Sequence, residues 1–348
     1  MVFTATFNDG INRKLCVAPM MDWTDRHCRF FHRLLAPSAL LFTEMVTADA
    51  ICHAENPSRF LSHSEAEHPL VLQVGGSDPK KLFRAIKLAN KFGFCEFNLN
   101  VGCPSNRVQS GRFGACLMEE PDIVRECLMA MKEATDKPIS VKCRIGVDDM
   151  DINLGLDKFI QKISGSGISV FYIHARKALL TGLSPKENRN VPPLNYERVH
   201  RLALQNPEKV IILNGGLENK DDIISKQQDF HGVMLGRAAY KTPYILSEIH
   251  SHLTGEPLLE KHSLAMKMAD YADMVIENGG NLHQVTRHML GLFSGERGAK
   301  YWRQQLGELA RLQPHNSDLI RKTAKFCWTC CVFLYRLVKS IYIFMTVS

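Results

Sequence analysis

Phe94-Cys-Glu-Phe-Asn-Leu-Asn-Val-Gly-Cys-Pro-Ser-Asn106 begins as an apolar run, Phe94 to Leu99, and ends in Gly102-Cys103-Pro104. That pattern reads as a buried strand breaking into a loop. In α/β barrels the loops at strand C-termini carry the catalytic groups, so a cysteine just past a strand end is placed to act. Gly102 lets the backbone come close to a ligand, and Pro104 stiffens the turn. Taken alone, Cys103 reads more simply as a small buried thiol packing a barrel mouth. Its neighbours change that balance.

Outward from this stretch, strand-like apolar runs alternate with helical ones. The strands are expected at Leu15–Met20, Leu40–Val46, Leu70–Gly75, Cys95–Val101, Ile139–Ile145, Ser169–Ala175, Val210–Asn214 and Gly232–Gly236. Several are near-continuously apolar, as suits strands covered by helices on their outer face. Helices are expected between them. Asp78-Pro79 opens Lys80–Phe92, and Glu120-Pro121 opens Asp122–Ala134, each with apolar residues at helical spacing. Leu154–Ser164 and Tyr196–Leu204 repeat the theme. Eight strands with intervening helices point to a (β/α)8 TIM barrel of the α/β class. A doubly wound sheet is the competitor, but no Gly-x-Gly-x-x-Gly turn follows the first strand. The barrel is expected over 12–253. Thr254-Gly-Glu-Pro257 marks a hinge, and a small helical domain is expected over 260–318 from His262–Asn278, Leu282–Leu292 and Gly298–Leu312.

The chain has 348 residues, 45% hydrophobic and 23% charged, which is ordinary for a soluble enzyme with a large core. Its net charge of +7 permits a polyanionic partner without demanding one. Eleven cysteines lack framework spacing. Met1 to Lys14 carries Asn8, Asp9 and Arg13 and has no apolar core, so no signal peptide is expected there. Reduced thiols and a cytoplasmic location follow as expectations. Residues 319–348 form an atypical apolar tail of unknown role. Arg336 and Lys339 near the middle of its apolar stretch argue against a membrane span. Cys327-Trp-Thr-Cys330 is one Cys-x-x-Cys without a second pair, so no metal is expected. No obligate protein partner is evident.

The polar residues at the strand ends form a set. Pro19, Met20 and Met21 follow the first strand, and Glu44 lies in the second. Gln73, then Asn100 and Cys103, then Lys142 with Arg144, then His174 with Arg176 come next. Asn214, Gly215 and Gly216 end the seventh strand, and Gly236 with Arg237 ends the eighth. Loops after strands seven and eight bind phosphate in many such barrels, and glycine backbone plus a fixed charge suits that. They also suit tight turns. Lys142 in a strand needs an electron-rich partner. That partner is either Glu44 or a reduced flavin near N1 and C2=O. Gln73 and Asn100 carry both donor and acceptor, which suits a heteroaromatic edge. Together they suggest an FMN barrel, with the first-strand methionines packed under the flavin ring.

Ala18-Pro-Met-Met-Asp-Trp-Thr-Asp25, Gln73-Val-Gly-Gly, Asn98-Leu-Asn-Val-Gly-Cys-Pro-Ser105, Val141-Lys-Cys-Arg144, His174-Ala-Arg, Asn214-Gly-Gly and Gly236-Arg, in this order, resemble the tRNA-dihydrouridine synthases. His174-Ala-Arg-Lys-Ala, Gly182-Leu-Ser-Pro-Lys-Glu-Asn-Arg189 and Pro192-Pro-Leu resemble subfamily A. The resemblance spans roughly 12 to 312, and the tail beyond about Asp318 does not match the expected pattern. It implies an NAD(P)H-dependent flavoenzyme that reduces uridine in the D-loop of tRNA, at positions 20 and 20a in subfamily A. NADPH would reduce FMN, reduced FMN would deliver hydride to uracil C6, and Cys103 would protonate C5. The target base would be extruded into the pocket. It further implies that Asn100 holds base or flavin, and that the helical domain binds tRNA. The specific contacts would include Arg176, Lys186, Arg189, Lys300 and Arg303. Arg287, His288, Arg297, Lys300 and Arg303 interleave with Tyr301 and Trp302, a basic stripe with aromatics for stacking.

Two other readings remain open on residues alone. One is an FMN barrel reducing a free small molecule, which leaves the basic helical appendage unexplained. The other is a tRNA-binding protein whose barrel no longer catalyses, against which the intact Cys103, Lys142 and His174 argue.

Overall fold

A computed structural model describes residues 9–327 and divides the chain into two compact units. One comprises the chain up to Arg29 together with Ser38–Gly236. The other comprises Phe30–Pro37 and the chain from Arg237 onward. The helix Ile245–Thr254, which the sequence reading assigns to the barrel domain, thus belongs to the second unit.

The first unit is a parallel barrel of short strands wrapped by helices. Its strands are β1 (Leu15–Val17), β2 (Leu41–Phe42), β3 (Val46–Thr47), β4 (Leu70–Gly75), β5 (Glu96–Val101), β6 (Ile139–Arg144), β7 (Val170–His174), β8 (Val210–Asn214) and β9 (Gly232–Leu235). They run in the order β1-β9-β8-β7-β6-β5-β4-β2, with β3 also on β4, and every pairing is parallel. A bridge between Cys16 and Leu40 links the two ends of this order. This is the expected (β/α)8 barrel, with one difference. The second expected strand is two short ones, because Phe42 pairs with Val71 while Val46 pairs with Val74. Three residues therefore oppose two, which is a β-bulge. The Gln73 amide donates to Thr43 Oγ1 at 3.1 Å instead of to a ladder carbonyl, which breaks the strand at that point.

The register puts alternate residues on one face. Glu96, Asn98 and Asn100 of β5 share the inner face with Ser140 and Lys142 of β6, Tyr172 of β7 and Asn214 of β8. Phe97, Leu99, Val101, Val141, Phe171 and Ile211 alternate with them and are fully buried on the other face. So β5 is not an uninterrupted apolar run. It is polar inward and apolar outward. Apolar filling of the interior comes from other strands, through Cys16, Phe42, Val71, Val170, Val210, Ile212 and Met234.

The helices start where the sequence signals them. Asp78 accepts from the amides of Lys80 and Lys81 and caps Pro79–Ala89, and Asn195 accepts from Arg198 to cap Tyr196–Gln205. The second unit is helical, with Ile245–Thr254, Lys261–Glu277, Leu282–Thr286 and Ala299–Gln304. Within it Phe30 stacks on Tyr271 with ring centroids 3.9 Å apart, and Trp302 is buried with Nε1 donating to the Met289 carbonyl at 2.8 Å. Residues 318–327 continue as helix, burying Leu319, Ile320, Ala324 and Cys327, and Arg321 pairs with Asp270 at 2.7 Å and Asp273 at 2.5 Å. The start of the apolar tail is thus part of the helical packing. Residues 328–348, including Cys330 and Cys331, lie outside the described residues. Among those described, no helix is long and apolar enough to cross a membrane.

Candidate active site

Cys103 sits in the loop that follows β5, and its thiol is half-buried, 3.5 Å from Ser105 Oγ. The loop is held from beneath. Asn100 Oδ1 accepts from the amides of Gly102 at 3.1 Å and Cys103 at 3.0 Å. The Cys103 carbonyl accepts from Ala115 at 2.9 Å. Gly114 passes so close that a Cβ there would fall 2.6 Å from that carbonyl, at a φ of +81° that only glycine adopts freely. On the other side a Cβ at Gly102 would meet the Lys142 carbonyl at 3.3 Å, a tight contact. Burial pushes Cys143 up to about 12, and Cys95 likewise, so neither is poised to exchange a proton near neutrality.

Two cations from β6 stand beside this loop. Lys142 Nζ donates to Asn214 Oδ1 at 3.0 Å, so its partner is Asn214 and not Glu44. Burial, followed by the charge of Arg144, pulls its ammonium down to about 8. Arg144 is buried and spans two loops. Its Nε donates to the Gly102 carbonyl at 2.9 Å, and Nη1 to the carbonyls of Lys177 at 2.9 Å and Asn188 at 3.0 Å. Burial, together with the Arg189 and Arg176 charges and against the pull of Cys103, lowers it to about 10. Glu44 is half-buried, and burial raises its carboxyl against the donated amide of Asp22.

The seventh and eighth expected loops are shaped by steric contact. Gly215 has φ +109°, and a Cβ there would fall 2.5 Å from His174 Cδ2, so glycine lets the imidazole lie flat on the turn. Gly216, at φ +67°, is pressed against Leu194 and Tyr196, whose hydroxyl donates to the Gly215 carbonyl at 2.7 Å. Gly236 differs. Its φ lies outside the left-handed region, and a Cβ there would meet nothing nearer than Ala18 Cβ and Met20 Sδ, both at 3.9 Å. The protein itself does not require glycine at 236, which leaves open space beside Met20. Arg237 follows directly as the first residue of the short helix Arg237–Lys241. Pro19 and Met20 are half-buried after β1, in a turn closed by Thr24, while Met21 is 53% exposed.

Residues 16–326 match the family described as dihydrouridine synthase. The chain belongs to the dihydrouridine synthase family. It is 47% identical over 321 residues to a protein of Xanthomonas campestris pv. campestris named tRNA-dihydrouridine(20/20a) synthase, covering 92% of this chain and 95% of that one. Proteins of the same name from Xanthomonas axonopodis pv. citri (50% over 309 residues, 89% and 92%) and Shewanella oneidensis (48% over 314 residues, 90% and 93%) are similarly alike. The family match extends beyond Asp318 into the expected tail, in keeping with the buried face of helix 318–327.

Gln73 and Asn100 lie at the centre of this family member's barrel, and their side-chain amides bond first to each other, Asn100 Nδ2 to Gln73 Oε1 at 2.9 Å. Each keeps a second N–H to spare. Lys186 and Arg189 are exposed on the loop after β7, while Arg176 Nη1 is turned back on the carbonyls of Asn190 and Pro192. Sequence reading missed what builds that loop. Asn188 is fully buried, donating to the Leu179 carbonyl and accepting from the Leu179 amide, both at 2.8 Å. Gln109 then ties it to the cysteine loop through the carbonyls of Pro104 at 2.8 Å and Leu180 at 3.0 Å. In the helical unit Lys300 and Arg303 are exposed one turn apart on Ala299–Gln304, with Arg297 and Tyr301 exposed nearby. Two residues of the expected basic stripe are core instead. Trp302 and His288 are buried and do not offer a stacking surface. Among the described residues no cluster of three or more metal-ligating side chains occurs.

Proposed function

We propose that this chain reduces D-loop uridines of tRNA to dihydrouridine at positions 20 and 20a, using FMN and NADPH in the cytoplasm, with Cys103 as the proton donor to C5. The observation that carries the reading is the half-buried Cys103 thiol in a loop held against Asn100 and Arg144, in a family member about half identical to proteins named for that reaction. Lys142 fits a flavin: its ammonium has one acceptor, Asn214, and is held near 8 by burial, so an electron-rich ring would be a favourable second partner. The bare space at Gly236, with the turn at Asn214, Gly215 and Gly216 and the charge of Arg237, suits the phosphate. Pro19, Met20, Met21, Gln73 and His174 would complete the cofactor contacts. Bound FMN, reduced by NADPH, supplies the hydride for uracil C6.

The chain's own part is acid catalysis and positioning. The Cys103 thiol is held as a proton source for C5, because its loop amides are fixed by Asn100 and its carbonyl by Ala115. Asn100 offers its spare N–H to the extruded base. Arg144 keeps the β5 and β7 loops at one spacing, and Arg176, Lys186 and Arg189 meet RNA phosphate from the β7 loop. Lys300 and Arg303 meet it from the helical unit. Incubating unmodified tRNA with the protein and NADPH, then mapping dihydrouridine by mass spectrometry, tests the reading. Cys103→Ala should retain FMN and NADPH oxidation yet form dihydrouridine about 10²–10⁴ times more slowly. Unchanged product formation would exclude Cys103 as the acid.

A further inference from the structure

The barrel interior holds one directed chain of hydrogen bonds that runs from its floor to the Cys103 loop. At the floor Glu96 is fully buried and receives Arg13 on Oε2, through Nε at 2.9 Å and Nη2 at 2.6 Å. Its other oxygen accepts from the hydroxyls of Ser140 at 2.5 Å and Tyr172 at 3.0 Å. A serine hydroxyl has a single proton. Having given it to Glu96, Ser140 can only accept from its other neighbour, and Asn98 Nδ2 lies 2.8 Å away. That settles which way the Asn98 amide faces. Asn98 Oδ1 must then take Gln73 Nε2 at 2.8 Å, and Gln73 Oε1 must take Asn100 Nδ2 at 2.9 Å. Asn100 Oδ1 is left facing the amides of Gly102 and Cys103. Every donor in the series points toward Glu96.

We propose that Glu96 is a positioning residue for the Cys103 loop. By accepting from Ser140 it orients three amides in series, and the last of them presents an acceptor to the loop. A reversed series would set the Asn100 NH2 against two backbone N–H groups. Aligned hydrogen bonds in a low-dielectric interior reinforce one another, so the orientation is shared along the whole chain. The proposal deepens the reading of Cys103 as proton donor, but its test does not depend on that reading.

Glu96→Gln reverses the polarity. Arg13 only donates, so the new amide turns its oxygen to Arg13 and its NH2 to Ser140. Ser140 then accepts, gives its proton to Asn98, and each amide beyond turns over. The conflict moves to the mouth because it is cheaper there: the floor is buried and charged, whereas freed loop amides can find water. With both loop bonds to Asn100 lost, Cys103 should be alkylated by iodoacetamide about thirtyfold faster, read by peptide mass spectrometry with Cys116 as internal reference. Tyr172→Phe also removes a bond to Glu96 but leaves the series intact, so its Cys103 rate should equal that of the wild type. Asn100→Asp has no N–H to misplace. Glu96→Gln/Asn100→Asp should therefore return the rate to the wild-type value, and it carries the test if the single variant does not fold. A folded Glu96→Gln protein with the wild-type rate would overturn the proposal. So would a Tyr172→Phe protein as fast as Glu96→Gln, or a double variant faster than wild type. Alkylation needs no tRNA turnover, so a wild-type protein that makes no dihydrouridine would defeat the proposed function and leave this result standing.

Discussion

Replacing Lys142 by methionine isolates one desolvated charge. In the folded chain burial pulls the ammonium down from 10.5 to about 8. Unfolding restores the ordinary value. Between those two pH values the unfolded chain carries a proton that the folded chain has lost, so stability rises with pH across the window. Below pH 8 the full penalty is present, and above 10.5 none of it remains. At 1.36 kcal/mol for each pKa step, the gap amounts to roughly 3 kcal/mol. Methionine has comparable length and no charge, so the variant recovers that amount at pH 7. It also gives up the bond to Asn214, worth about 1 kcal/mol. The expected net effect is a gain of roughly 2 kcal/mol at pH 7, turning into a loss of about 1 kcal/mol above pH 10.5. Urea unfolding of flavin-free wild type and variant, run side by side from pH 7 to 10.5, measures it, since titrations common to both cancel in the difference. A difference that stays flat across this range would refute the argument. The variant should also bind FMN more weakly, the pattern of a functional group held at a cost to stability.

Two other expectations follow from contacts already described. Gly215→Ala places a Cβ 2.5 Å from His174 Cδ2 in a left-handed turn, and should lower stability by about 2–3 kcal/mol in thermal or urea melts. An unaffected melt would mean that the turn and the imidazole are not packed together. Lys300→Ala and Arg303→Ala should each weaken tRNA binding and reduce the salt dependence of log K by about one; a salt slope equal to that of the wild type would remove these side chains from the RNA contact.

Most strand positions and helix starts are legible in the sequence because they rest on local signals: apolar runs, Asp78-Pro79, Glu120-Pro121, and Gly102-Pro104. The second strand is not, because its bulge depends on a Thr43 hydroxyl meeting the Gln73 amide thirty residues away. The cysteine, the glycine turns and Lys142 were visible as residue types at strand ends. Their partners were not. Lys142 could be given Glu44 or a ligand from sequence, and only the β6–β8 geometry assigns Asn214. Trp302 shows the opposite failure, since charge on both sides made a core residue look like a surface one. The polar inner face of β5 is also written in the sequence. Glu96-Phe-Asn-Leu-Asn alternates polar and apolar with period two, which marks a strand with a polar inner face.

That inner face explains why the two ends of the barrel differ electrostatically. At the floor the buried cation, Arg13, is matched by carboxylates, Glu96 and Asp9, and its charge is cancelled within 3 Å. At the mouth Lys142 and Arg144 bond to neutral oxygens, an asparagine side chain and three carbonyls. Dipoles orient and hold a cation but do not remove its unit charge. Burial lowers both groups, yet about 10 for Arg144 leaves it charged at neutral pH, and about 8 leaves most of Lys142 so. Among the described residues neither cation is paired with a carboxylate; desolvation opposes each and they repel one another, so the arrangement costs stability unless something else benefits. On the function proposed above, a counter-charge at the mouth comes from the ligands. A phosphate-bearing cofactor and a polyanionic substrate would each supply it, whereas a neutral free substrate would leave the repulsion unrelieved. The pairing of the buried cations, with carboxylates at the floor and with neutral oxygens at the mouth, is therefore a better electrostatic argument for an anionic ligand at this end of the barrel than the net charge of +7.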